Sequence, residues 1–410
     1  MKIDDKTSHN SPSLRFPEFT GEWEKCKLGT LATKVGSGST PKGGDAVYTS
    51  IGHYFVRSQN VGMGFLMLDN IAHINDDIHQ KHKATEIYEN DVLLNITGAS
   101  IGRTAVATKE LEGGNVNQHV CIIRTNSKVN PKFLCDYIQT QRIQNHIKSL
   151  QTGGSREGLN FEQIRSFPIS LPSINEQNKL TCLLDKINER IATQVRLIDR
   201  LQSLMIGLNN SLYEQYGNDI TTSFMELGYS YSGLSGKSAK DFGSGKPFIT
   251  YLNVYSNIIV DETDYQYVRI NDGEKQNIVR TGDVLFTQSS ETPEEVGIGS
   301  VYLGEKEVYL NSFCFGIHIE RNQLAYSPYL SYYVTSTAFR KFIYPFAQGS
   351  TRFNLCKADF EKASIKLPSL DNQKRISAML DCIAEKIQAE KAILEYYNIQ
   401  RQYLLRQMFI

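Results

Sequence analysis

The side chains with the clearest chemical capacity are hydrogen-bonding ones, gathered on short turn-like stretches rather than in a catalytic constellation. In the first half these are Gly36-Ser37-Gly38-Ser39-Thr40-Pro41-Lys42, Arg57-Ser58-Gln59-Asn60, Thr97-Gly98-Ala99-Ser100 with Arg103, and Asn117-Gln118-His119. In the second half they are the stretch holding Ser235 and Lys237, then Tyr251 and Asn253, then Thr287-Gln288-Ser289-Ser290. Gly153, Ser155 and Arg156 find matches in Gly349, Thr351 and Arg352. Hydroxyls, carboxamides and cations on protruding turns suit the reading of base edges and the gripping of phosphates. Taken one at a time, the same stretches also read as tight surface turns.

Motifs that would indicate an enzyme do not hold. Asn130-Pro131-Lys132-Phe133 approximates the Asn-Pro-Pro-aromatic signature of adenine methyltransferases, but Lys132 replaces the second proline, and a proline at the first position of a helix explains it. Gly236-Lys237-Ser238 and Gly243-Ser244-Gly245-Lys246 fall short of a phosphate loop: Tyr231 stands where the leading glycine belongs in one, and Pro247 follows the lysine in the other. His79 and His82 have no cysteine or carboxylate at ligand spacing, so no metal is expected. The seven cysteines are scattered without a C-x-x-C pair, which fits free thiols in a reducing compartment.

What could position the turns is legible in a long internal repeat. Gly153–Ile191 and Gly349–Ile387 align without a gap and share 13 identities in 39 positions. The common core is I-x-L-P-S, then Gln177 or Gln373, then L-D-x-I-x-E-x-I. Weaker echoes lie upstream, such as Asn90-Asp91-Val92-Leu93 against Gly282-Asp283-Val284-Leu285. Each half therefore reads as one variable unit followed by one repeated tail.

The tails have helical periodicity. Leu180, Leu184, Ile187, Ile191, Val195, Ile198, Leu201, Met205, Leu208 and Leu212 mark the first. Ile376, Leu380, Ile383, Ile387, Leu394, Tyr397, Leu404 and Met408 mark the second, interrupted by Glu390 and Arg401. Such spacing predicts two long helices whose apolar seams pair with each other as a coiled coil. Ser173 with Glu176 spells a capping box, only half matched by Ser369 with Asn372. The variable units predict short strands, including Val92–Leu94 and Val120–Ile123, and amphipathic helices over Pro131–Leu150 and Pro328–Phe346.

At 410 residues the chain is expected to form two or three domains. Its 44 basic residues balance 44 acidic ones, so net charge carries no argument for a nucleic-acid partner. The polar N-terminal stretch and the lack of a long apolar run predict a cytoplasmic protein with no signal peptide and no membrane partner.

Duplicated variable units, each followed by L-P-x-x-x-x-Q and a long helix, resemble the specificity subunits of type I restriction–modification enzymes over essentially the whole chain. Leu171–Gln177, Leu367–Gln373 and Gly349-Ser350-Thr351-Arg352 carry the resemblance; Asn372, where the family usually has glutamate, departs from it. The resemblance implies an α+β fold of two similar α/β target-recognition domains separated by a long antiparallel coiled coil, with a pseudo-twofold internal repeat. The expected divisions are an N-terminal segment 1–20, a first recognition domain 21–165, a central region 166–216, a second recognition domain 217–362 and a C-terminal region 363–410. Leu184, Ile187, Ile191, Leu380, Ile383 and Ile387 would lie on the helical seam. The implied partners are double-stranded DNA, two methylation subunits and, through the complex, restriction subunits. S-adenosylmethionine, ATP and Mg2+ would sit on those partners, with no cofactor and no catalytic residue in this chain. A scaffold whose turns bind other proteins is the alternative, and salt-sensitive DNA binding separates the two.

Overall fold

The computed structural model describes residues 10–151 and 158–410. Contacts divide the chain into two compact units, one running through Gln194 and including Ile393–Ile410, the other Val195–Ala392.

The first unit contains β1 (Glu24–Lys27), β2 (Ala32–Ser37), β3 (His53–Val56), β4 (Ala72–Ile74), β5 (Val92–Asn95), β6 (Thr104–Val106), β7 (Asn115–Val116), β8 (Val120–Thr125) and β9 (Pro168–Leu171). They form a four-stranded sheet of order β2-β8-β5-β6, a three-stranded sheet β4-β3-β7 and the pair β1-β9. Strand β5 is buried throughout, and successive side chains leave on opposite faces. Val92 and Leu94 join one core with Phe133 and Tyr137, whereas Leu93 joins a second with Val56 and Val116. A strand covered on both faces explains the continuous apolar run in the sequence.

The second unit contains β10 (Ile220–Thr222), β11 (Gly228–Ser232), β12 (Phe242–Ile249), β13 (Tyr265–Val268), β14 (Val284–Thr287), β15 (Ser289–Ser290), β16 (Gly299–Val301), β17 (Tyr309–Leu310), β18 (Cys314–Ile319), β19 (Ala347–Gln348), β20 (Phe353–Leu355) and β21 (Ile365–Leu367). Its sheets β11-β18-β14-β16, β13-β12-β17 and β10-β21 follow the same connectivity as those of the first unit, and β15-β20-β19 adds a small fourth sheet. Val284 and Phe286 enter one core with Phe315 and Phe360, and Leu285 enters another with Val254 and Leu310.

The echoed Asp91 and Asp283 are structural. Both follow a residue in the left-handed region, Asn90 at φ 71° and Gly282 at φ 92°. Asp91 accepts a two-pronged bond from Arg124, with both distances 2.8 Å. Asp283 instead accepts from the Tyr231 hydroxyl at 2.5 Å and from the Arg280 backbone N–H at 2.9 Å, and meets His318 Nδ1 at 2.5 Å. Burial holds the Asp283 carboxyl above its usual range.

Two long helices, Ile174–Tyr216 and Leu370–Gln407, follow β9 and β21. In the first unit Leu180, Leu184 and Ile187 share a core with Leu404, Leu405, Met408 and Phe409. In the second, Ile376 and Leu380 lie in the core, with Met205, Leu208 and Leu212 packed against it. Gln177 Nε2 donates to the carbonyls of Lys128 and Pro172, at 3.1 and 2.9 Å, while its Oε1 accepts from the Asn130 N–H at 2.7 Å. Gln373 repeats this with Leu324, Pro368 and Tyr326, at 2.8, 2.9 and 2.8 Å. The glutamine of the repeated motif is therefore a buried staple between the globular part and the first turn of its helix.

Several local expectations are corrected. The helix expected over Pro131–Leu150 is two, Pro131–Gln139 and Gln141–Gln151, because Thr140 adopts an extended backbone between them. That expected over Pro328–Phe346 divides at Ser336, whose hydroxyl caps Phe339 N–H and starts a new helix. Pro131 does occupy the start of its helix, capped by Asn130. Ser173 accepts from the Glu176 N–H at 3.3 Å, but the Glu176 carboxylate completes no box: it is held by Arg15 at 2.7 and 2.8 Å. At the second helix the Asp219 carboxylate accepts from the Ser369 N–H at 2.8 Å and from Asn372 Nδ2 at 3.3 Å.

Arg401, an apparent break in the apolar series, serves the first unit. Its Nε donates to Asn188 Oδ1 and its Nη2 to Gln139 Oε1, both at 2.7 Å, with Asp136 Oδ1 3.9 Å away. Burial pushes the Asp136 carboxyl up to about 7, against the opposing pull of Arg401. A carboxyl whose pKa is raised on folding favours the native state while protonated. That contribution is full below about pH 4 and is lost as pH rises towards 7. Asp136→Asn should therefore melt at a higher temperature than the parent chain at pH 8, and the gain should shrink as pH falls from 7 to 5. A lower melting temperature at pH 8 would show instead that an ionised Asp136 pairs with Arg401.

Candidate nucleic-acid interface

In the first unit, the turn after β2 and the turn joining β7 to β8 meet. The backbone N–H of Gly38 donates to the Asn117 carbonyl at 3.2 Å. A Cβ on Gly38 would lie 1.7 Å from the Val116 carbonyl oxygen, so only glycine permits this approach. Ser37 ends the strand, and Ser39, Thr40 and Lys42 are exposed beyond it. The Thr40 hydroxyl donates to Gln118 Oε1. Gln118 Nε2 lies 3.1 Å from His119 Nε2, and the other ring nitrogen of His119 meets the Thr97 hydroxyl. A continuous chain of side chains, Thr40–Gln118–His119–Thr97, thus ties three turns together. Ser39 adds a bond to His82 Nδ1 at 3.0 Å.

Arg57, half-buried beside the Tyr48 ring, and exposed Gln59 follow β3, while half-buried Ser100 and exposed Arg103 lie on the β5–β6 turn. Gly153, Ser155 and Arg156 lie outside the described residues. Directly after that stretch, Gly158 pairs with Thr97.

The second unit repeats the junction with other side chains. Gln288 N–H donates to the Phe313 carbonyl and Leu355 N–H to the Gln288 carbonyl, both at 2.9 Å. Ile96 occupies the same role in the first unit, bonded to His119 and Leu159 at 3.0 and 2.9 Å. Gly349-Ser350-Thr351-Arg352 forms the tip of the β19–β20 hairpin, paired through Gln348 and Asn354. Gly349 has φ 144°, and a Cβ there would meet the Arg352 carbonyl oxygen at 2.1 Å. Thr351, Arg352 and Gln288 are exposed. The Arg352 guanidinium lies 5.9 Å from the centre of the exposed Phe313 ring, within cation–π range.

Other candidates are placed where they cannot reach a ligand. Asn60 is buried, accepting from Arg57 N–H at 3.0 Å and donating to the Met67 carbonyl at 2.9 Å. Asn117 is buried and bonds the His119 N–H at 3.0 Å. Asn253 is buried and ties Asp261 to Asp264, with donor bonds of 2.9 and 2.8 Å. Ser289 and Ser290 are buried on β15, and the Ser290 hydroxyl donates to Glu295 at 3.1 Å. These five residues hold turns in shape.

Lys237 is likewise spent internally: its ammonium sits 2.5 Å from Glu274, and its side chain is only 5% exposed. That lysine, with the Asn271 N–H and Gln276, holds the Glu274 carboxyl down at about 2. Ser235 is exposed, with its N–H bonded to Gln276 at 3.1 Å, and the Tyr251 hydroxyl donates to the Ser289 carbonyl at 2.9 Å. Thr97 and His119 fall within the stretches expected to make contacts, whereas His82 and Phe313 do not. The signal for Phe313 was Asn311, whose side chain caps the N–H two positions later as Asn117 does for His119.

Among the described residues no group of three or more His, Cys, Asp or Glu could hold a metal, and no helix is long and apolar enough to cross a membrane.

Comparison with known proteins places these features in a family. The profile described as the type I restriction modification DNA specificity domain matches residues 20–203 and 234–396. The EcoBI type I restriction enzyme specificity subunit of Escherichia coli is 24% identical over 135 residues, 32% of this chain and only 28% of that protein. A Methanocaldococcus jannaschii protein provisionally named the MjaX type I restriction enzyme specificity subunit is 20% identical over 426 residues, 95% of each chain. The crystal structure of a type I restriction-modification system S subunit from M. genitalium shares the fold, with TM-score 0.54, 15% identity and coverage of 98% of this chain and 99% of that one.

The expectation for exposed Arg352 on its hairpin is that it holds a phosphate rather than reads a base. Arg352→Ala is expected to weaken binding to all duplex sequences alike and to reduce the slope of log affinity against log salt by about one counterion. A changed sequence preference at an unchanged slope would contradict that assignment.

Proposed function

This chain belongs to the family of type I restriction modification DNA specificity domains, and we propose that it is the sequence-specific DNA-binding subunit of a type I restriction–modification complex. It reads a split target through two recognition domains, 21–165 and 217–362. The exposed residues among those singled out, Ser39, Thr40, Lys42, Gln59, Arg103, Gln118, Ser235, Gln288, Thr351 and Arg352, are the contact set. The central and C-terminal regions, 166–216 and 363–410, supply helices that pair as an antiparallel coiled coil and relate the domains by a pseudo-twofold axis. Leu184, Ile187 and Ile191 on one helix and Leu380, Ile383 and Ile387 on the other form its seam.

The chain is non-catalytic. Two methylation subunits dock on it, and restriction subunits join through them. S-adenosylmethionine, ATP and Mg2+ belong to those partners, where they supply adenine methylation and DNA cleavage.

The observation that carries this reading is one sheet framework presenting two different sets of reading groups. The junction built on Ile96 and Leu159 displays Thr40, Gln118 and His119; that built on Gln288 and Leu355 displays Phe313 and Arg352. A single chain carrying unlike readers reads an asymmetric site, whereas a dimer of identical readers matches a palindrome.

The test exchanges residues 21–165 for the corresponding domain of another family member and sequences the methylome of cells that also carry the methylation subunits. One block of the target should change and the other stay as it was. Change in both blocks would rule out independent readers.

A further inference from the structure

The hydrogen-bond chain across the first unit does more than brace its turns. Resting on the reading of this chain as a DNA-binding subunit, we infer that Gln118 reads an adenine in the first half-site and that His119 is the positioning residue that, with Thr40, holds its carboxamide in place.

A carboxamide has two acceptor positions on its oxygen and two N–H donors. In Gln118 one of each is already committed. The Thr40 hydroxyl donates to Oε1, and Nε2 donates to His119 Nε2 across 3.1 Å. An imidazole that accepts at Nε2 carries its hydrogen on Nδ1 and donates it to the Thr97 hydroxyl, and the other tautomer reverses both bonds. Thr97 in turn pairs through its backbone with Gly158, which anchors the far end of the chain to the sheet framework.

The hydroxyls of Thr40 and Thr97 at the two ends of the chain can each donate or accept, so the amide can turn over only if the His119 tautomer switches with it. In either arrangement Thr40 and His119 each occupy one end of the carboxamide.

One acceptor and one donor therefore remain on this exposed side chain. Adenine presents the complement in the major groove, a donor at N6 beside an acceptor at N7. Guanine offers two acceptors there and would face the amide oxygen with one of them. Thymine offers one acceptor beside a methyl group, and cytosine a lone donor. A carboxamide held at both ends and left with one donor and one acceptor finds both partners only on adenine; one released from His119 can turn to other bases.

The second unit makes the contrast. Its equivalent turn, Asn311-Ser312-Phe313, has the same side-chain cap on the third N–H, at 2.9 Å, but holds Ser312 and Phe313 where the first unit has Gln118 and His119. An adenine contact from this turn therefore belongs to the first half-site.

The test uses the full chain assembled with its methylation subunits and selects bound sequences from randomised duplex DNA. The parent chain should require adenine at one position of one block. Gln118→Ala should lose that requirement only, by roughly 5- to 150-fold in discrimination. His119→Phe, which installs the residue of the second unit, should relax the same position and leave every other position and the melting temperature unchanged. His119→Gln returns an acceptor and should restore much of the adenine preference.

Unaltered selectivity in Gln118→Ala overturns the inference. So does a His119→Phe chain that binds every sequence more weakly while keeping its adenine. Gln118 is exposed on a turn, so its variant remains decisive if the His119 variants fail to fold. A parent chain that enriches no sequence at all would instead overturn the DNA-binding reading itself.

Discussion

A buried carboxamide at the head of each long helix is the joint on which the architecture depends. Gln177 and Gln373 are fully buried, and each bonds three backbone groups. Two of the three lie in the globular part of the unit; the third is the carbonyl of the proline that ends the preceding strand. The joint therefore clamps sheet, strand end and helix start into one piece. An apolar residue of similar size would leave the buried proline carbonyl unpaired, at about 1–3 kcal/mol, and would free the two part-buried groups to be hydrated instead. This is why the L-P-x-x-x-x-Q spacing recurs: the proline ends the strand, and the glutamine lies one helical turn beyond it, facing the interior.

The framework behind that joint is indifferent to what it displays. Strands β5 and β14 alternate their side chains between two cores, and Asp91 and Asp283 occupy the same turn with different partners, Arg124 in one unit and Tyr231 with His318 in the other. The turns beyond the frame carry the differences. Their backbone is set by close approaches such as that of Gly38 to Val116, which leaves the exposed side chains free to vary without cost to the core. Recognition chemistry can thus change between units while folding chemistry stays the same.

Much of this was legible from residue order. The long helices, the strands at Val92 and Val120, the helix-initiating Pro131 and the repeated glutamine all follow from periodicity or from a local backbone preference. What was not legible depends on distant partners. Arg401 looks like a defect in an apolar series until Asp136, Gln139 and Asn188 are seen around it. Lys237 looks like a free cation until Glu274 arrives from another loop. Asn60, Asn117 and Asn253 have the composition of readers, but burial assigns them to the turns themselves. Side-chain type states what a residue can bond, and only the fold states whether that capacity is already used.

That one chain carries two unlike readers on a shared framework is the central proposal for this protein. Its most direct test is to select sequences from random duplex DNA with the chain assembled alongside its methylation subunits. The predicted result is two short blocks of different sequence separated by a stretch of unspecified bases. A single contiguous block, a palindrome of identical halves, or binding that ignores sequence and falls only with salt would contradict it.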